Sequence, residues 1–365
     1  MPEPRRVVVE ASRAVPRWAA IARTPRAHGG PAVSYGHTRV PGSGEPVNGG
    51  MVKFQRLDRE WRNEPRRFNL LYLGSGTLPW DWRVLLRLAR RRGARVLLNQ
   101  NGVAYPGWAG DRTDAVNEPM ARVLHDADHV FFQSAFCRLA ADTFLGPREG
   151  PGEVLHNAVD TRVFVPGEPR RGGSLTLLLG GSQYERYRLE TAFRTLAALL
   201  REGLDARLLV TGALTFLPDR AAARRAAGEL AAGLGLEGRF EFLGPYTQAE
   251  APGVLRRGDI LLHTKVNDPC PGLVAEAMAC GLPVVYSASG GVPELVGEDA
   301  GVGVETPLRW DEIVPPDPEA LARAVLAVRE RLDEHREAAR GRAVEQLDIE
   351  PWLRRHAEVF TELLR

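Results

Sequence analysis

The residues best able to do chemistry in this chain crowd between His263 and Val296. Asp268 and Glu276 flank the string Pro-Cys-Pro-Gly-Leu-Val-Ala, and a Gly290-Gly291 pair follows. Asp259–His263 is a short apolar run of the kind that forms a buried parallel strand. Pro271 sits where a first helical turn begins and needs no N–H there. Leu273, Val274, Ala277 and Met278 recur at helical spacing, and Gly281 closes the helix. A helix that starts at Pro271 aims unpaired N–H groups and the positive end of its dipole at the strand's C-terminal edge. That is a site for an anion, and phosphate is the chemistry it fits best. Glu276 lies one turn further in, poorly placed for phosphate and well placed to accept hydrogen bonds from neutral hydroxyls. A ribose beside a diphosphate presents such a pair.

The full string is Asp268, seven residues, Glu276, then Ala-Met-Ala-Cys-Gly-Leu-Pro-Val-Val and a Gly-Gly loop followed by Glu294. It resembles the retaining glycosyltransferases of the family-4 group, whose fold is GT-B. Two departures stand out: Asp268 replaces the more frequent Glu, and Cys270-Pro271 replaces Phe-Gly. They bear on the role of Asp268 more than on that of Glu276. The resemblance implies that Glu276 holds the ribose of a UDP- or GDP-linked sugar and that Asp268 sits near the transferred sugar. It places Pro271, Gly272, Leu273 and Val274 at the phosphates, with Lys265 beside them. It also directs Arg186 and Arg188, after the Gly180-Gly181 loop, toward the diphosphate, with Arg188 counted among the catalytic residues. Gly49 and Gly50 would face the diphosphate or the acceptor. Arginine can clamp phosphate oxygens bidentately, so Arg188 in place of the family's Lys-Gly preserves the chemistry.

These residues need strands and helices to hold them. Expected strands are Val7–Val9, Phe68–Leu73, Arg95–Asn99, Val130–Gln133, Leu175–Leu179, Arg207–Thr211, Arg239–Leu243, Asp259–His263, Leu282–Tyr286 and Val302–Glu305. Expected helices include one running from Met51 through Trp61, then Trp80–Arg91, Met120–Ala127, Leu189–Leu200, Arg220–Gly233, Val292–Val296, Glu319–His335 and Pro351–Leu364. The stretch from Pro16 to Asn48 reads as a long loop with a short helix at Trp18–Arg23. The alternation of strands and helices indicates an α/β protein with two doubly wound, Rossmann-like sheets facing across a cleft. We expect an acceptor-side domain over residues 1–166 and a donor-binding domain over 167–350. The resemblance implies that the last helix, 351–365, packs back on the first domain. Gly167–Gly173 reads as the linker.

At 365 residues, with 44% hydrophobic and 26% charged residues, the chain has the composition of a globular protein of two domains. A net charge of +2 gives no field for nucleic acid. Cys137, Cys270 and Cys280 show neither metal-ligand spacing nor a disulfide framework, so no metal or cofactor is expected beyond the substrate itself. Asp126 and Asp128 form an Asp-x-Asp pair, but at a helix end rather than in a metal-binding setting. No apolar run reaches membrane-spanning length, and a cytoplasmic location is expected. The Arg-rich stretch Arg83–Arg95 is compatible with peripheral contact to anionic lipid, although charges on helix faces are usually just solvated. The expected partners are a nucleotide-sugar donor and a glycan, lipid-linked or small-molecule acceptor. Two rival readings stay open: a nucleotide-sugar epimerase on the same fold, and a non-catalytic nucleotide-sugar-binding protein. A dinucleotide dehydrogenase is disfavoured because no Gly-x-Gly-x-x-Gly follows a strand.

Overall fold

The computed structural model describes residues 15–47, 49–168 and 172–365. The expected strand Val7–Val9, Asn48 and linker residues 169–171 lie outside them.

Two all-parallel sheets form, because the apolar runs are long enough to be buried on both faces. The first has the order β1 (Val33–Ser34), β2 (Leu70–Gly74), β3 (Arg95–Gln100), β4 (His129–Phe132), β5 (Gly152–Val154). The second comprises β6 (Leu175–Leu179), β7 (Ala206–Thr211), β8 (Phe240–Gly244), β9 (Ile260–His263), β10 (Val284–Ser287) and β11 (Gly301–Val304), arranged β11-β10-β9-β6-β7-β8. This is the doubly wound order whose direction reverses between β6 and β9. Ligands of such sheets bind outside the C-terminal strand ends at that reversal. The strand that leads into Asp268 therefore borders the crevice.

Helices cover both faces of the second sheet. Arg186–Arg201, Arg220–Gly233 and Pro318–Glu330 bury Leu196, Ala227 and Val325 on one side. Gly272–Ala279, Val292–Val296 and Leu332–Gln346 bury Met278, Leu295 and Ala339 on the other. The single helix expected over Glu319–His335 is instead two, broken at Arg331 (φ −125°, ψ 39°). The second piece runs on to Gln346. Its charges lie all round, so no apolar stripe marks it in the sequence; it docks through the small side chains of Ala339 and Ala343. Two elements of the first domain also escape the periodicity. β1 is only two residues long, within the expected loop. The helix Ala135–Phe144 is announced by its cap alone, Ser134 Oγ accepting from Cys137 N at 2.9 Å.

The C-terminal helix Ile349–Leu364 packs against the first sheet, with Trp352, Val359 and Phe360 against Tyr72, Phe54 and Leu97. His356 is fully buried there. Its Nδ1 lies 2.8 Å from Trp352 O and its Nε2 3.0 Å from Tyr72 OH. Burial holds its pKa down to about 3. Since an unfolded histidine titrates near 6.5, its contribution to stability is complete above that pH and is lost as pH falls toward 3, by about 1.4 kcal/mol per pH unit. Acid melting curves should show this slope, and His356→Gln should flatten it even if its stability is lower at neutral pH.

The Asp-x-Asp pair is structural. Asp128 Oδ2 receives Arg90 Nη1 at 2.6 Å and Val96 N at 2.7 Å, tying the strand edge to the helix Trp82–Arg91. Among the described residues no helix is long and apolar enough to cross a membrane.

Candidate active site at the domain seam

β9 delivers His263, Thr264, Lys265 and Asp268 to the reversal point. Thr264 Oγ1 donates to Arg188 O at 2.9 Å, and Val266 N donates to Tyr187 OH at 3.0 Å, so the loop is held to the helix Arg186–Arg201. Asn267 then turns the chain with φ +52°, a conformation asparagine tolerates better than most residues. It is fixed by Ser289 Oγ, which accepts from its N at 2.9 Å, and by Arg309 O, which accepts from its Nδ2 at 3.1 Å. A Cβ on Gly290 would collide with the Asp268 backbone, and one on Gly291 with Pro269 O. The glycine pair is thus where the second loop packs directly on the acid loop.

Asp268 is buried, with Lys265 Nζ 3.2 Å from Oδ1 and His263 Nε2 3.2 Å from Oδ2. The histidine contact is close but not aligned as a hydrogen bond, so its ring nitrogen keeps no hydrogen-bond partner among the described residues. Burial opposes charge on Asp268. Lys265, His263 and Arg188 together outweigh it and hold the carboxyl below the usual carboxylate range. Lys265 is in turn held above its ordinary range: burial lowers it, and Asp268 and Tyr184 more than compensate.

The helix Gly272–Ala279 starts as expected, with Pro271 as its N-cap and no side chain closing the turn. Leu273 reaches the β6 loop: a Cβ on Gly180 would collide with its side chain. Gly180 and Gly181 thus lie beside Leu273 at the start of this helix, next to Pro271 and Gly272, while Val274 is buried in the core beneath them. Arg188 is also there, buried beneath the glycine loop. Its Nη1 donates to Ser182 O at 2.6 Å and its Nη2 to Gly180 O at 3.0 Å, while Nε has no partner among the described residues. In this state the guanidinium shapes the loop rather than standing free. Arg186 departs from the expectation. It begins its helix on the outer face, is largely exposed, and lies 3.9 Å from Glu190. Helical geometry explains the split, since residues two apart point to different sides.

Glu276 is buried one turn in. Its Oε1 accepts from Arg56 Nη2 at 2.7 Å, and Gln248 is a further hydrogen-bond partner. Burial pushes the Glu276 carboxyl up and the Arg56 guanidinium down, each against the attraction of the other. Arg56 comes from the first-domain helix Gly49–Glu60 and also donates to Ala158 O. Gly49 and Gly50 open that helix; Gly49 is exposed and has open space beside its Cα.

The sequence does not single out Arg56, because arginine is so common here. It also misses a seam of other contacts. Ser134 Oγ donates to Pro269 O at 2.6 Å, and Asn157 Nδ2 to Cys270 O at 2.7 Å. Glu294 accepts from Ala135 N at 2.8 Å and Phe136 N at 3.0 Å, bonding the second domain to a helix start of the first. Trp310 crosses from the second domain to stack on Phe136, ring centroids 5.5 Å apart. The carboxylates of the second domain are therefore presented to groups of the first.

Two Rossmann-like sheets meeting at such a seam define the GT-B fold. Residues 174–331 match the family model described as Glycosyl transferases group 1. Among solved structures, sucrose-phosphate synthase from Thermosynechococcus elongatus aligns with TM-score 0.67 and 18% identity, covering 85% of this chain and 76% of that one. Anabaena Alr3699/HepE in complex with UDP-glucose aligns with TM-score 0.66 and 17% identity, covering 81% and 79%. In sequence, D-inositol 3-phosphate glycosyltransferase of Salinispora tropica is 42% identical over 86 residues, 22% of this chain and 18% of that protein. The GDP-mannose-dependent alpha-(1-6)-phosphatidylinositol dimannoside mannosyltransferase of Mycobacterium tuberculosis is 30% identical over 170 residues, 46% of this chain and 38% of that protein. The matched stretches thus span well under half the length of these relatives.

Proposed function

We propose that this protein is a glycosyltransferase that moves a sugar from a UDP- or GDP-linked donor to an acceptor hydroxyl, with retention at the anomeric carbon. The observation that carries the reading is the crevice at the β6–β9 reversal. There an uncapped helix start, the Gly180-Gly181 loop and two buried carboxylates on one loop-helix unit converge, all within the stretch that matches the group 1 family. The helix N–H groups of Gly272 and Leu273 would receive the diphosphate, and Glu276 the ribose hydroxyls. Asp268, kept ionised by Lys265, would face the transferred sugar. The departing nucleoside diphosphate gains negative charge, which the helix start and neighbouring cations are placed to stabilise. Glu185 lies within electrostatic reach of Asp268 and shares Lys265 with it, so the acid loop is not the only carboxylate at this end of the sheet. Front-face displacement assisted by the leaving group is the route we expect for such a transfer.

The relatives point to the acceptor class. One is named for inositol 3-phosphate and another for a phosphatidylinositol dimannoside. A polyhydroxylated ring, free or lipid-linked, is therefore the acceptor to try first. The direct experiment incubates the protein with UDP- and GDP-sugars and such acceptors, follows nucleoside diphosphate release, and assigns the product anomer by NMR. Transfer with the donor's anomeric configuration supports the reading. Acceptor-independent change of the donor sugar would replace it with an epimerase.

Arg188 supplies a separate check. Arg188→Ala removes the two hydrogen bonds that hold the Gly180–Ser182 carbonyls in place. It should weaken nucleoside diphosphate binding about tenfold, the worth of roughly one charged hydrogen bond. Calorimetry giving unchanged affinity would remove Arg188 from the donor site.

A further inference from the structure

The helix Gly49–Glu60 carries a cation that the seam does not balance. Lys53 is one of only two lysines in the chain and is 5% exposed. Its Nζ donates to Asn99 Oδ1, an amide oxygen that also accepts from Gln133 Nε2 at 2.8 Å. Gln133 Oε1 accepts in turn from Asn157 Nδ2, which also donates to Cys270 O. A line of neutral amides therefore connects the ammonium to the residue just before the donor-helix cap. Among the described residues, the titratable and charged groups that face Lys53 are Cys270 on the acid loop, Cys137 on the helix Ala135–Phe144, Arg56 on its own helix and His356 on the C-terminal helix. None of these is a carboxylate. Both thiols are pushed up by burial and stay neutral. A buried ammonium without a counter-ion costs several kcal/mol, a cost that an anion entering the seam would offset.

Arg56, one turn further along, has an anion, but an exchangeable one. Its bond to Glu276 is a dry ion pair, in which desolvation cancels much of the attraction. A ribose that takes Glu276 would release the guanidinium beside the phosphates.

We propose that Lys53 and Arg56 form the first domain's half of the diphosphate site. Lys53 is the standing counter-charge, and Arg56 moves from Glu276 to the phosphates when the nucleotide binds. The proposal rests on the nucleotide-sugar reading above and adds to it the cations that neutralise the donor from across the seam. Burial holds the Lys53 ammonium down to about 7. Binding a phosphate therefore stabilises its proton, and donor affinity falls as pH rises above 7.

Calorimetry tests this with UDP and GDP at pH 7, each beside its nucleoside, uridine or guanosine. A pH series with the matching UDP-glucose or GDP-mannose follows, since their phosphodiesters do not titrate in that range. Lys53→Met should bind the nucleoside diphosphate at least about tenfold more weakly and the nucleoside within twofold of wild type. Its melting temperature should be unchanged or higher, because a buried charge is gone. Wild-type affinity for the nucleotide sugar should drop about tenfold between pH 6.5 and 8.5, and that of Lys53→Met should stay flat. Arg56→Met should weaken the diphosphate but not the nucleoside. Equal losses for nucleoside and nucleoside diphosphate would make both residues structural and overturn the proposal. So would a Lys53→Met variant within twofold of wild type for all ligands. Wild-type protein that binds neither nucleoside diphosphate would overturn the donor reading itself, and this assignment with it.

Discussion

Glu276→Gln should lower sugar transfer at least about tenfold while leaving the protein folded. The carboxylate is expected to accept one or two hydroxyl hydrogen bonds, each worth roughly 1.5–3 kcal/mol when one partner is charged. Glutamine keeps the volume and one acceptor, so it can still meet Arg56, which lies 2.7 Å away at the buried seam. Glu276→Ala is a harsher test. It strands a buried guanidinium, a change that costs about 3–5 kcal/mol in such pairs, so loss of transfer would be mixed with loss of stability. The two variants together separate the effects. Steady-state rates with saturating acceptor and calorimetric affinity for the nucleoside diphosphate are the measurements. Near-normal donor kinetics in the glutamine variant would take Glu276 out of the ribose site.

Asp268→Asn should also cut turnover, about tenfold to a hundredfold on the same charged hydrogen-bond scale. It should leave nucleoside diphosphate affinity within twofold, because Asp268 is expected to face the sugar and not the phosphates. Lys265 and His263, each 3.2 Å from the carboxylate, would lose their shared anion. The carboxyl is held below its ordinary range against the pull of burial. Its stabilising contribution is therefore complete above the ordinary carboxylate value and is lost progressively as pH falls from there to the depressed value. The acid limb of the activity profile should accordingly come from other groups, and Asp268→Asn should lower the rate without moving that limb. A variant whose diphosphate affinity collapsed would instead place Asp268 at the leaving group.

Much of this site is visible in the sequence, and the reason is physical. Asp268, Pro271, Gly272 and Glu276 lie on one strand-loop-helix unit, where chain spacing alone sets their geometry. Arg188 and Arg186 show the limit of chain spacing as a guide. Both stand at one helix start, yet one turns under the glycine loop and the other turns outward. A shift of two residues decides which, and nothing local in the chain announces it. Arg56, Ser134, Asn157 and Trp310 come from other elements and meet the site only through tertiary packing. Lys53 did carry a signal, as a lysine kept in a chain that otherwise uses arginine almost throughout. The helix Leu332–Gln346 was hidden for the opposite reason: it docks through two alanines and shows no apolar stripe.

A crystal structure of the protein soaked or grown with a nucleoside diphosphate is the most direct test. Phosphate oxygens are expected at the N–H groups of Gly272 and Leu273 and both ribose hydroxyls on Glu276, with Arg56 withdrawn from that carboxylate. A nucleotide bound away from the β6–β9 crevice, or a Glu276 still bonded to Arg56 and touching no hydroxyl, would contradict the donor-site assignment.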